Sequence, residues 1–177
     1  MTRLGALRPG DRAQLAELLV ATGAFNAGEV EVALALFDTT MHAGASGGAG
    51  GADDAQGDYE LMGAFDEERL VGYACFGPTP ATDGTFDLYW LAVHPGAQRG
   101  GVGSALVRAV EEALAARGAR LLVVETSSRP DYARTRAFYA RSGYTEAARV
   151  RDFYAPADDR IMLTTRLTTR ARGAATR

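Results

Sequence analysis

FDLYWLAVHPGAQRGGVGS, residues 86–104, decides the architecture of this 177-residue chain. Its first eight residues, Phe86 to Val93, are aromatic, aliphatic or β-branched with a single charge, and they predict a buried strand. His94-Pro95-Gly96 stops that strand, because proline donates no hydrogen bond and glycine permits a turn. Gln98-Arg99-Gly100-Gly101-Val102-Gly103 follows, and a helical period then begins. Val102, Leu106, Val110, Ala113 and Leu114 share one face, with Arg108, Glu111 and Glu112 turned away. Strand, glycine-rich turn and helix N-terminus in that order present unpaired backbone N–H groups and the positive end of a helix dipole. A phosphate or pyrophosphate suits such a place.

Two common glycine loops do not fit. A dinucleotide site wants G-x-G-x-x-G near the start of a βαβ unit, with an acid about 20 residues on. Here Gly100, Gly101 and Gly103 break that spacing and lie far into the chain. A P-loop needs a lysine, and all 19 basic residues are arginine.

Downstream, residues 121–126 (LLVVET) read as another apolar strand whose one charge is Glu125. A carboxylate in such a run must be paired, hydrogen-bonded or functional. Arg129 and Arg134 are the arginines nearby that a structural ion pair would use. Residues 127–131 form a turn, and 132–142 a short helix stopped by Gly143. Two final strands are expected near 145–150 and 161–167. The tail from 168 to 177 carries Arg170, Arg172 and Arg177 without an acid and reads as disordered.

Upstream, residues 3–8 form a short strand ended by Pro9-Gly10. Asp11 caps a helix carrying Leu15, Leu18 and Leu19, and Asn26 with Glu29 makes a capping box for a second. Val30, Leu34, Phe37 and Met41 line the buried face of that second helix. Residues 43–58 hold six glycines and three aspartates and cannot bury a core, so they should form a mobile loop. Two readings stand for it: a tolerated linker, or an acidic lid in which Asp53 and Asp54 draw in a cationic acceptor. Residues 59–65 and 70–76 make a hairpin, with Cys75 a small buried hydrophobe. Tyr89 and Trp90 alternate along the central strand, which places them on opposite faces.

The composition suits one domain over residues 1–167, with 47% hydrophobic residues to build its core. A net charge of −3 and a pI near 5.4 give nucleic acid no support as a partner. One cysteine allows no intrachain disulfide, and His42 and His94 make no metal-ligand set, so no metal is expected. No membrane-length apolar run is present, and the expected setting is soluble and cytoplasmic.

Gln98, Gly101 and Gly103 match Q/R-x-x-G-x-G/A after a strand ending in V-H-P, and this resembles the acetyl-CoA pyrophosphate loop of the GNAT family of N-acetyltransferases. Phe138 to Tyr144, F-Y-x-x-x-G-Y, is similar to the family's second signature. The resemblance implies an α/β fold with a central mixed, mostly antiparallel sheet of about seven strands and about four helices. It also implies acetyl-CoA as co-substrate, held by Leu91, Ala92, Val93, Gln98, Arg99, Gly100, Gly101, Val102, Gly103 and Ser104. A strand glutamate paired with a helix tyrosine resembles the bacterial ribosomal-protein N-terminal acetyltransferases, and by that motif Glu125 would be general base and Tyr139 general acid. This chain has Pro130 where that group carries an asparagine that contacts CoA.

The chemistry matches what these residues offer. An amine acceptor must lose a proton before it attacks a thioester, and the departing thiolate needs one. A phenol, with a reference pKa of about 10, can supply it. A backbone N–H between Leu91 and Val93 would meet the developing oxyanion if the strand splays there. Asp87 and Tyr89 are the reserve candidates for base. The acceptor would be a small-molecule amine or a peptide N-terminus, and a homodimer is left open. The rival reading is an acyl-CoA-binding sensor without catalysis.

Overall fold

The structure is a computed structural model that describes residues 2–45 and 59–168. Both readings of the glycine-rich stretch concern residues that mostly lie outside these bounds, as does the tail after 168.

Seven strands form one sheet in the order β1-β2-β3-β4-β5-β7-β6. They are β1 (Arg3–Ala6), β2 (Glu60–Asp66), β3 (Arg69–Pro78), β4 (Thr85–Val93), β5 (Leu121–Ser127), β6 (Thr145–Ala155) and β7 (Asp158–Arg166). Every neighbouring pair is antiparallel except β4 with β5. Four α-helices complete the fold: α1 (Arg12–Thr22), α2 (Ala27–Ala45), α3 (Val102–Ala116) and α4 (Ala133–Arg141). This is the mixed, mostly antiparallel sheet with four helices that the two signatures imply.

Each face of the sheet carries its own core. Leu15, Leu18 and Leu19 of α1 and Ala33 and Phe37 of α2 pack on Leu61, Tyr73, Cys75 and Ala92. On the other face, Val102, Leu106, Val110 and Leu114 of α3 and Tyr139 of α4 pack on Ala74, Leu88, Leu122 and Val124. The expected capping box is present: Asn26 N–H donates to Glu29 Oε2 at 2.7 Å and Glu29 N–H to Asn26 Oδ1 at 3.0 Å. It starts α2, which runs to Ala45, past residue 43 where the loop was expected to begin. Gly72 on β3 lets α3 press against the sheet, since a Cβ there would sit 2.9 Å from both Leu106 Cδ1 and Val102 Cγ1. Leu106 is fully buried at that contact. Leu106→Ala is therefore expected to cost about 2–5 kcal/mol, read as a lower urea midpoint at unchanged slope.

Two of the sheet's four register shifts bear on the site. Cys75 pairs with Trp90 but Phe76 pairs with Leu88, so Tyr89 is an extra residue bulged out of β4. A bulge bends its strand and re-aims the side chains beside it. Tyr89 and Trp90 consequently share the α1/α2 face, against the alternation expected: Trp90 meets the Phe25 ring at 5.1 Å and Tyr89 the Tyr59 ring at 5.1 Å. The second irregularity is at the β6–β7 tip, where pairing jumps from Val150↔Arg160 to Ala155↔Asp158 and residues 151–154 stand out of register. Asp159 Oδ1 accepts the Asp152 N–H at 3.1 Å, and Asp152 Oδ1 accepts the Ala157 N–H at 2.6 Å, which pins this tip. Both strands run beyond the expected limits for that reason.

Candidate functional site

β4 and β5 pair over only Thr85↔Leu121, Phe86↔Leu122 and Asp87↔Val123. Past that point β4 stays with β3 as far as Val93, and β5 stays with β7 as far as Ser127. The two strands continue without each other and leave a wedge open at their carboxyl ends, where open α/β sheets take their ligands. The splay that the central strand was expected to need is there.

The wedge exposes particular backbone groups. His94 donates its N–H to Val71 O at 2.9 Å. Antiparallel alternation then turns Ala92 toward β3 and aims the amides of Leu91 and Val93 at the gap. Of the three residues expected to contribute backbone donors, two face the wedge. Gln98 folds back, donating from Nε2 to Val93 O at 3.2 Å. His94 behaves as a turn residue, its Nδ1 accepting the Gly96 N–H at 3.1 Å.

The glycine loop ends at the mouth of the wedge. Arg99 and Gly101 both take positive φ, 66° and 79°, and Gly101 is the N-cap of α3 with no side chain capping the helix. The N–H groups of Val102, Gly103 and Ser104 have no acceptor among the described residues. A Cβ at Gly101 would meet nothing within 4 Å, so the loop is open on that side. At Gly103 a Cβ would lie 3.5 Å from Phe138 and 3.6 Å from Val93, which are ordinary contacts. The requirement for glycine therefore falls on Gly101. Gly103 joins the loop, the end of β4 and α4 at one point.

Tyr139 and Glu125 stand on opposite faces. Tyr139 is 4% exposed within the α3/α4 core, between the rings of Phe138 at 5.0 Å and Tyr144 at 5.2 Å. No described residue hydrogen-bonds its hydroxyl, and burial holds its pKa well above the usual phenol range, so it keeps its proton at neutral pH. Tyr144 Oη donates to Glu111 Oε1 at 2.9 Å, fixing the ring behind it. Glu125 lies on β5 past the last pair with β4, its side chain 34% exposed. Its partner is Arg160 of β7, bonded through Nη2, and neither Arg129 nor Arg134. Register explains the choice: Met162 is directly opposite Glu125, which puts Arg160 on the diagonal of the same face.

The sequence reading gave Arg160 no role, since an arginine near the end of a chain rich in arginine carries no local signal. The guanidinium stacks on the Phe153 ring at 4.8 Å, and the Glu125 hydrogen bond, with Asp87 adding to it, raises its pKa. Tyr154 is shifted upward by partial burial and then by Glu125. Asp87, the reserve base, is committed to Thr79, whose Oγ1 donates to Oδ2 at 2.6 Å. Cys75 is fully buried and its thiol is pushed up to about 12 by burial, which suits the packing role expected of it. Among the described residues no cluster of three His, Cys, Asp or Glu side chains could hold a metal, and no helix is long and apolar enough to cross a membrane.

An open sheet with this wedge, a glycine loop at its mouth and an uncapped helix behind it defines an acyl-CoA-dependent transferase architecture, and comparison with known proteins agrees. The family model for the acetyltransferase (GNAT) family matches residues 38–144. A protein from Desulfovibrio desulfuricans assigned to that family is 37% identical, with a TM-score of 0.83 over 95% of this chain and 99% of its own. The ribosomal-protein-S18-alanine N-acetyltransferase of Escherichia coli is 20% identical, with a TM-score of 0.71 over 99% of this chain and all of its own. A Salmonella typhimurium protein solved with its cofactor acetyl-CoA is 18% identical, with a TM-score of 0.68 over 99% of each chain. No curated protein sequence matches the chain. The chain belongs to the GNAT family of acyl-CoA-dependent N-acetyltransferases.

Proposed function

We propose that this protein transfers the acetyl group of acetyl-CoA to a primary amine, of a small molecule or of a peptide N-terminus. The observation that carries this reading is the wedge, with the amides of Leu91 and Val93 on one strand and Glu125 on the other. Arg99 to Gly101 and the first turn of α3, Val102 to Ser104, offer the pyrophosphate N–H groups that have no acceptor among the described residues. The donor then lies on the Tyr139 side and the acceptor on the Glu125 side, meeting in the gap.

Glu125, directly or through a water, takes a proton from the acceptor's ammonium. The freed amine attacks the thioester carbonyl, forming a C–N bond, and the N–H of Leu91 or Val93 receives the oxyanion. The C–S bond breaks as Tyr139 gives its proton to sulfur. The proton that the nitrogen then sheds restores the phenol. Ammonium and acetyl-CoA become amide, CoA thiol and one proton. The single cysteine and the absence of any disulfide agree with a reducing, cytoplasmic setting.

One observation favours the sensor reading: the Glu125 carboxylate is already engaged by the Arg160 guanidinium, which an acceptor amine would have to share or displace. Thiol release from acetyl-CoA in the presence of amines separates the two. Glu125→Gln should lower kcat and recover part of it as pH rises, because more acceptor is then neutral. Wild-type kcat/KM should climb with pH as the acceptor amine is deprotonated. A Glu125→Gln chain as fast as wild type at every pH would move the base to Asp87. Acetyl-CoA binding without thiol release for any amine or peptide would establish the sensor.

A further inference from the structure

Among the described residues, the carboxylates around the Glu125 side of the wedge are already committed. Glu125 is bonded to Arg160, Asp87 to the Thr79 hydroxyl, and Asp158 to the Ser127 hydroxyl. Glu29 is used in the α2 cap, and Asp131 pairs with Arg129 at 2.7 Å. Arg160 is bonded at one edge and covered by Phe153 on its face, and its Nε is buried with no hydrogen-bond partner among the described residues. An acceptor ammonium at Glu125 shares that carboxylate with Arg160, and an acceptor carboxylate would bring a second negative charge to the pair. An acceptor carrying a second cation would have to displace an existing partner.

What is uncommitted is aromatic surface. Among the described residues three aromatic side chains are exposed: Tyr89 at 40%, Phe153 at 49% and Tyr154 at 50%. Tyr89 is on β4, the strand next to β5, while Phe153 and Tyr154 are on β6, one strand beyond β7. Phe153 lies on Arg160, which bonds Glu125, and Tyr154 is close enough to feel the Glu125 charge. Tyr89 stands beside Asp87, which in turn is felt by Arg160. The register shifts in β4 and at the β6–β7 tip serve this arrangement. The β4 bulge turns Tyr89 onto the face, and the out-of-register tip at 151–154 brings Phe153 and Tyr154 to it, edge to face at 5.0 Å and 88°. The Asp152 and Asp159 bonds hold the tip in place, so little ordering is left for binding.

We propose that the acceptor is an arylalkyl primary amine, with its ring among Tyr89, Phe153 and Tyr154 and its ammonium at Glu125. This rests on the acetyl-transfer reading and names its substrate class. The ammonium gives one proton through Glu125, its nitrogen takes the acetyl carbon from sulfur, and CoA leaves as the thiol.

Thiol release is to be followed with 2-phenylethylamine, hexylamine, 1,4-diaminobutane and glycine. The expected result is a kcat/KM for 2-phenylethylamine at least about tenfold above the other three. Phe153→Ala and Tyr89→Ala should each raise its KM about tenfold, whereas Phe153→Tyr, which keeps a ring, should retain the wild-type KM. Acetyl-CoA affinity by calorimetry reports that each variant is folded with its donor side intact. A preference for 1,4-diaminobutane or glycine, or a Phe153→Ala chain with an unmoved KM, overturns the aromatic acceptor while leaving acetyl transfer standing. Acetyl-CoA binding with no thiol release for any amine overturns acetyl transfer and this inference together.

Discussion

Tyr139→Phe is expected to bind acetyl-CoA as tightly as the wild-type chain and to turn over about 10²–10⁴ times more slowly. The substitution keeps the ring between Phe138 and Tyr144 and deletes one oxygen. No described residue hydrogen-bonds that oxygen, so its loss strands no buried partner and thermal stability should barely move. Calorimetry with acetyl-CoA and a thiol-release assay with the preferred amine separate the two quantities. The decrement should lie in kcat, because a group that protonates sulfur acts only as the C–S bond breaks. Wild-type turnover by Tyr139→Phe would make this residue a packing element and would mean that the thiolate leaves unaided.

Gly101→Val should weaken acetyl-CoA by about 10²-fold or more. Gly101 holds φ at 79°, which a β-branched side chain adopts only under strain, and a Cβ there would point into open space. The side chain would then stand where a pyrophosphate approaches the N–H groups of Val102 and Gly103. Losing one or two hydrogen bonds to a charged group accounts for a change of this size, at about 1.5–3 kcal/mol each. Gly101→Ala separates the causes, since it carries the backbone strain with less bulk. Gly103→Ala should be mild by comparison, its Cβ being in ordinary contact with Phe138 and Val93. Unchanged affinity in Gly101→Val would remove the loop from the donor site.

Local signals made most of the fold legible. The strand at Phe86–Val93, the stop at His94-Pro95 and the helix from Val102 are adjacent in sequence, and each obeys a period that a reader can count. The Asn26–Glu29 box announces α2 for the same reason. What stayed hidden depends on register between distant segments. Glu125 is plainly odd in an apolar strand, yet its partner Arg160 is 35 residues away and is selected by β5–β7 pairing. The choice of Arg129 or Arg134 as its partner fails on that point. Phe153 and Tyr154 could be named from the sequence as residues near the final hairpin that line an acceptor cleft, but their placement depends on four residues that drop out of the β6–β7 ladder, which no propensity marks.

The extra residue in β4 has an implication for how such a site comes and goes. Phe86 and Leu88 face α3, Asp87 faces α1 and α2, and Trp90, Leu91, Ala92 and Val93 resume the same alternation once Tyr89 is skipped. Tyr89 is thus a codon-sized insertion that leaves both cores in phase. It sits two residues beyond the last β4–β5 pair, Asp87↔Val123. Deleting it would give a strand with nothing wrong in its pattern and no bend to carry it away from β5. The residue that bends β4 away from β5 is therefore one that neither core needs for its phase.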